Sequence, residues 1–355
     1  MNVQYAGYKI LISFLITMIS MQINANQRTS SKIAKEETTF TVIAHRGASG
    51  YLPEHTLDAA TLAFMQGAHY IEQDIVLTSD NIPIVLHDIH IETVTNVESI
   101  FPQRHRSDNR YYAIDFTWAE IQQLLIHERE DELGNRVYTG RYNGTDTFKV
   151  ASFEQHIELI TQLNNTFAKN VSFYSEIKAP EWHLSEGKDI TAIVVNVMEK
   201  HGLTQPDANI LIQCFYPETL KRLKNEFKVS IGLVQLIADN SWDESSADYD
   251  HMQTKQGLEE VAKYASGIGP WLPQTYNPES ASGTALLYNA KALGLIIHPY
   301  TFRADDLTFD MDAETLLDLI QNKLKLDGIF TDHADVTLEK TKKQIPSSDF
   351  LRPIH

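Results

Sequence analysis

The sequence predicts an α/β chain that closes as a TIM-type (β/α)8 barrel. Apolar runs of strand length alternate with helix-length amphipathic runs from Phe40 onward, the pattern of a parallel sheet covered by helices. About eight such units follow one another, the number that closes a barrel. Charged residues gather where several apolar runs end, and parallel α/β folds keep their chemistry at strand ends. The 355 residues, 43% hydrophobic, suffice for one such barrel with insertions.

Residues 1–25 read as a secretory signal peptide. Lys9 is its one charge, and the apolar stretch Ile10 to Met21 is broken by Ser13, Thr17 and Ser20. That stretch is too short and too broken for a transmembrane anchor. Ile23-Asn24-Ala25 suits cleavage, and no Cys stands there for a lipid. Residues 26–39 are a polar, flexible leader. The barrel domain is assigned to residues 40–345 and a tail to 346–355.

The first unit pairs a strand at 40–45 with a helix at 55–67. Thr56 is placed to cap that helix ahead of Leu57, Ala60, Leu62, Ala63 and Phe64. Strand 69–77 follows, then strand 82–87. Only Thr78-Ser79-Asp80-Asn81 separates those two, and no helix fits there. The count therefore reaches nine strands, one more than the barrel needs. Residues 89–150 are rich in Asn, Asp, Arg, Tyr and Gly, with one short helical run at Thr117 to Ile126. A stretch this long inside a compact domain has a function or a fold of its own, and it is read as an inserted subdomain that shapes the pocket. Helices at 152–164, 187–201, 217–227, 254–264, 283–293, 313–323 and 334–343 then alternate with strands at 171–178, 209–215, 229–237, 266–270, 294–300 and 327–332. Asp239 to Asp250 is an acidic exposed loop.

The chemistry sits at four run ends. His45-Arg46-Gly47 closes the first, and Gly47 allows a tight exit. Glu72 and Asp74 alternate, so a strand points both to one face. Side by side they repel, and burying them unpaired is costly. A divalent cation is the simplest neutraliser. His87-Asp88 ends the third run, and Glu176-x-Lys178 ends the fourth.

His-Arg-Gly, Pro53-Glu54-His55-Thr56, Glu72-x-Asp74, Val85-x-His87-Asp88 and Glu176-x-Lys178 in this order resemble the glycerophosphodiester phosphodiesterases, most closely the bacterial periplasmic type. The likeness runs from Thr41 to Asp335. It takes in Gln213-Cys214-Phe215, His298-Pro299-Tyr300 and Gly328 to Asp332. It implies a PLC-like phosphodiesterase barrel that converts glycerophosphodiesters to sn-glycerol 3-phosphate and an alcohol. It also implies a mechanism: the glycerol hydroxyl beside the phosphate attacks phosphorus, and water opens the resulting cyclic phosphate. On this reading His45 is the base and His87 the acid, although the residues do not settle the order. Arg46 and Lys178 bind the phosphate. Glu72, Asp74 and Glu176 hold the metal, calcium by preference with magnesium as the alternative. Glu54 and His55 support the first loop. The alternatives are a phospholipase C- or D-like lyase that stops at the cyclic product, or a secreted surface-binding protein on the same barrel.

A formal charge of −17 excludes nucleic acid and anionic membrane as the main partner. The expected partner is a small-molecule glycerophosphodiester; no membrane insertion outlasts signal cleavage, and a homodimer is compatible with the sequence. The expected compartment is the periplasm. Cys214 is the sole cysteine, so no intrachain disulfide forms, and its apolar run makes it a packing residue. His298, at another run end, is read as structural. Trp271, Phe215 and Tyr300 fit either a pocket wall or the core.

Overall fold

The computed structural model describes residues 40–131, 134–138 and 147–342. The segments read as signal peptide, leader and tail lie outside the described residues.

The first unit forms as its residues dictate. Strand β1, Thr41–Ala44, is buried along its length apart from its first residue. The helix Leu57–Gln66 begins where the Thr56 hydroxyl accepts the Ala59 N–H at 3.0 Å, a cap worth about 1 kcal/mol. It ends at Gly67, whose φ of 95° is open to glycine at no steric cost.

Eight parallel strands make the barrel. β1 pairs with β2, Tyr70–Leu77, and β2 in turn with β4, Ser172–Ile177. Next come β5, Ile210–Cys214, β6, Gly232–Ile237, and β7, Gly267–Pro270. The last two are β10, Ile296–Ile297, and β11, Gly328–Thr331, which pairs with β1. Between β10 and β11 the wall is closed by the chain just after β10. Phe330 N–H donates to Pro299 O at 3.0 Å, and Phe302 N–H donates to Phe330 O at 2.8 Å.

The ninth predicted strand is accounted for. β3, Pro83–Val85, runs antiparallel to β2, with Ile75 opposite Val85 and Leu77 opposite Pro83. The chain turns at Thr78, whose hydroxyl accepts the Ile82 N–H at 2.9 Å, and Asn81 takes φ 64°. So β2 and β3 form a hairpin off the barrel path, not a β/α unit. A second hairpin, β8 Tyr276–Asn277 with β9 Ser282–Gly283, has no counterpart in the sequence reading. Two helices differ from expectation. The run 187–201 narrows to Ile190–Lys200 and is preceded by Pro180–Ser185, and 313–323 splits into Ala313–Asp318 and one π turn, Leu319–Lys323.

Period-two alternation sorts each strand between two environments. On β4, Phe173 and Ile177 join the apolar layer under the helices. Tyr174 points the other way and packs with Ile43, Val234 and Phe330, filling the barrel as side chains fill small barrels. Cys214 is buried in the outer layer, as expected. His298 is buried too, edge-on to Tyr174. Within the insertion, Ile91, Val94, Phe116, Ile121 and Leu124 form a separate cluster with Val76, Ile84 and Leu86 of the hairpin. No helix among the described residues is long and apolar enough to cross a membrane.

His183 joins the hairpin to the following barrel unit. Its Nδ1–H donates to Ala179 O at 2.9 Å, and its Nε2 accepts the Leu77 N–H at 3.3 Å. The second bond requires the neutral ring, since a protonated Nε2 cannot accept. Burial pushes its pKa down to about 4, against about 6.5 in an unfolded chain. Stability from this group is therefore complete above pH 6.5 and is lost as pH falls toward 4. Urea unfolding at several pH values should show His183→Gln with a shallower acid loss than the parent, by up to about 1.4 kcal/mol per pH unit in that window. Parallel curves would rule this out.

Candidate active site

The C-terminal ends of β1, β2 and β4 converge. Parallel register places Asp74 opposite Glu176, and Glu72 opposite Tyr174. Glu72, Asp74 and Glu176 thereby meet on the inner face, all essentially buried. Burial, together with Asp74 beside it, pushes the Glu72 carboxyl well above its ordinary range. Burial likewise raises Glu176, against the pull of Lys178. Asp74 goes the other way: burial opposes its charge, but His55, His87 and Lys178 hold it well below the usual range.

The hairpin supplies His87. Because β3 runs back along β2, Leu86 N–H donates to Asp74 O at 2.9 Å. His87 therefore stands beside the carboxylates rather than beyond the rim. Its Nδ1 meets Asp88 Oδ1 at 2.5 Å, and its Nε2 lies 3.5 Å from Lys178 Nζ. Burial, reinforced by Arg46 and Lys178, pushes its pKa down to about 3. Lys178 also pairs with Glu176 at 3.0 Å.

His45 is likewise paired with a carboxylate. Its Nδ1 is 2.7 Å from Asp332 Oδ1. Burial raises the Asp332 carboxyl, but His45, Tyr138 and Arg46 outweigh it and hold the pKa down at about 2. Asp332 is thus an anion that keeps the Nδ1 proton in place and turns Nε2 toward the cavity.

Arg46 sits at φ 56° beside Gly47, where an added Cβ would come within 2.8 Å of the Ala59 backbone. That turn aims the Arg46 N–H at Glu72 Oε2, 2.6 Å away, and its guanidinium at Glu54, 2.9 Å away. Arg46 Nε, 3.7 Å from Asp74 Oδ2, makes no hydrogen bond. Glu54 is clamped from the other side by Arg129 at 2.6 and 2.8 Å, and Arg129 reaches Asp88 at 2.6 Å. His55 Nε2 bonds Asp74 Oδ2 at 2.8 Å.

A cavity of about 220 Å³ opens over this group, and His45, Arg46, Glu72, Asp74, His87 and Glu176 line it. Lys178 approaches from beneath through His87 and Glu176. Phe215 and Tyr300 form part of the wall, while Trp271 reaches it only by packing on Trp242. All seven residues expected to act together are therefore brought together.

Donor atoms of His55, Glu72 and Asp74 lie within 4.8 Å of one another and could hold a metal. His55 was expected only to support the loop, and Glu176 stands beside this trio through its register with Asp74. Asp74 Oδ1 is buried with no hydrogen-bond partner, which fits a cation. The sequence reading missed Arg129, Tyr138 and Asp332 as working residues. Asp332 did carry a signal, since it ends a strand run as His45 does. Arg129 and Tyr138 lie in the insertion, where no periodicity marks them.

Residues 45–336 match the model of the glycerophosphoryl diester phosphodiesterase family. The chain belongs to that family. As a member it is an enzyme, a phosphoric diester hydrolase. A glycerophosphodiester phosphodiesterase of Haemophilus influenzae is 38% identical over 85% of this chain and 89% of its own. A solved structure from Silicibacter pomeroyi shares the fold at TM-score 0.69 and 20% identity, covering 87% of this chain and 95% of that one. A phosphodiesterase from Oleispira antarctica, solved with the product sn-glycerol-3-phosphate, superposes at TM-score 0.58 and 21% identity, covering 85% and 96%.

Proposed function

We propose that this family member hydrolyses glycerophosphodiesters to sn-glycerol 3-phosphate and an alcohol through a cyclic phosphate. One observation carries the reading: two carboxylate-backed histidines, one of them beside the Lys178 ammonium, flank an arginine among buried carboxylates. Arg46, whose side chain lines the cavity, holds the phosphodiester anion. Glu72, Asp74 and Glu176 hold a hard divalent cation, calcium by preference with magnesium as the alternative. His55 serves to fix Asp74, since its Nε2 is already bonded there. When bound, the cation offsets charge on the phosphoryl oxygens.

The charges favour the reverse of the acid–base order expected from sequence. An ammonium can only donate, so Lys178 makes His87 Nε2 an acceptor and the ring neutral. His87 therefore takes the proton of the attacking glycerol hydroxyl. His45, whose Nδ1 is held by the Asp332 carboxylate, gives an Nε2 proton to the departing alkoxide. The new P–O bond closes the ring as the P–O bond to the alcohol breaks. Water then adds to phosphorus with His45 as base, and His87 returns its proton to the glycerol oxygen. Lys178, held beside Glu176, directs one of its N–H groups to a phosphate oxygen in the complex.

We further propose that residues 1–25 direct export to the periplasm and are removed. Mass spectrometry of the natural product should then find an N-terminus near Asn26; an intact Met1 on a membrane-bound chain would contradict it.

Chelation should abolish activity on glycerophosphocholine, with calcium restoring it best; Asp74→Asn should not be restored at the same metal concentration. Full turnover of metal-free protein would end the metal reading.

The histidines separate by leaving group. His87→Ala should lower kcat/KM on every substrate by about 10²–10⁴-fold. His45→Ala should match that loss on choline and ethanolamine esters but partly spare a p-nitrophenyl ester, whose oxygen needs little protonation. The opposite pattern would restore His45 as base. A diester lacking the neighbouring hydroxyl should bind without reacting, whereas an enzyme attacking with water would cleave it.

A further inference from the structure

The cavity extends beyond the groups used so far. On the side of Lys178 its wall is made by Phe215, Trp242 and Glu244. The last two come from residues 239–250, which are tied down at several points. Asp239 caps the turn through Ser241 N–H at 2.9 Å, Asn240 accepts the Tyr249 N–H at 2.8 Å, and Glu181 accepts both the N–H and the hydroxyl of Ser246 at 2.8 and 2.5 Å. So many anchors hold Trp242 and Glu244 in fixed positions at the mouth. Trp242 is 41% exposed, edge-on to Trp271. Among the described residues the Glu244 carboxylate accepts no hydrogen bond; its contact is Lys178 Nζ at 3.9 Å.

Resting on the function proposed above, we infer that Glu244, Trp242 and Phe215 form the subsite for the terminal CH2OH of the glycerol unit. Three facts converge. Lys178 Nζ stands 3.5 Å from His87 Nε2 and 3.9 Å from Glu244 Oε2, so the proton acceptor and the free carboxylate are one small group apart. The hydroxyl that attacks and its terminal neighbour, on adjacent carbons, fit those two acceptors in turn. A carboxylate accepts strongly from a hydroxyl, and aromatic faces pack on the C–H side of a polyol. An alcohol bearing an ammonium group would also suit a carboxylate with aromatic rings. Here, however, Lys178 already places its cation 5.4 Å from the Phe215 ring centre and beside Glu244. A second cation would meet a like charge; a hydroxyl would not.

The consequence is selection for a free terminal hydroxyl, with an acylated or absent one rejected. The test compares glycerophosphocholine with its 2-hydroxypropyl analogue, which keeps the attacking hydroxyl and the choline but lacks the terminal one. The parent should prefer the glycerol ester by about tenfold or more in kcat/KM, because its acceptor is left unpaired by the analogue. Glu244→Ala should bring that ratio near one, and Glu244→Gln, which keeps an acceptor oxygen, should restore part of it. Calorimetry with sn-glycerol 3-phosphate against the phosphate monoester of propane-1,2-diol should show the same order without turnover. An unchanged ratio in Glu244→Ala overturns the subsite while the proposed function stands. A change confined to choline against glycerol head groups also overturns it and assigns the wall to the leaving alcohol. Parent protein inactive on both esters with calcium or magnesium overturns the function and this subsite with it.

Discussion

Parallel register forces Asp74 and Glu176 to face each other inside a closed barrel, and the charge this creates organises the rest of the site. Water cannot solvate that charge, and an uncompensated buried carboxylate costs several kcal/mol. Each neighbour is a response to it. Arg46 gives its backbone N–H to Glu72, His55 takes one oxygen of Asp74, and Lys178 pairs with Glu176. The compensation is incomplete, since Asp74 Oδ1 is left without a partner and Glu72 and Glu176 are pushed toward their neutral forms. A site built this way is poised for a cation and for an anion held by it.

The same field divides the two histidines. Burial, reinforced by Arg46 and Lys178, favours the neutral ring of His87 against the pull of Asp88. His45 faces Asp332, which the insertion reaches through Tyr138. Identical side chains thus stand among different neighbours, which suits a reaction needing one donor and one acceptor. Arg129 extends this control. By binding Glu54 and Asp88 together it links the loop after β1 to the residue beside His87.

What the sequence made legible follows from physical range. His45, Arg46, Glu72, Asp74, His87, Glu176 and Lys178 all sit at or near the ends of apolar runs, and run ends are visible locally. The outer barrel elements were legible for the same reason, as the Thr56 cap shows. The β2–β3 hairpin was not, because Thr78 to Asn81 gives no sign of whether the next strand runs parallel or antiparallel. Arg129, Tyr138 and Glu244 were not legible as site residues because their positions depend on long-range packing of irregular segments. The acid–base order was beyond reach too, since it depends on which cation or anion lies within a few ångströms of each ring.

The hairpin has a further effect on how the chain can vary. Val85 N–H donates to Ala151 O at 2.9 Å, and Ile84 bridges Ser152. The two ends of the 89–150 excursion are therefore stitched to each other beside the barrel. Whatever lies between them hangs from a closed gate. Its length can grow or shrink at a loop-closure cost that rises only logarithmically, while the β2–β3 ladder keeps His87 at its distance from Asp74. The rim is thus free to vary in length wherever Arg129 and Tyr138 keep their contacts with Asp88 and Asp332.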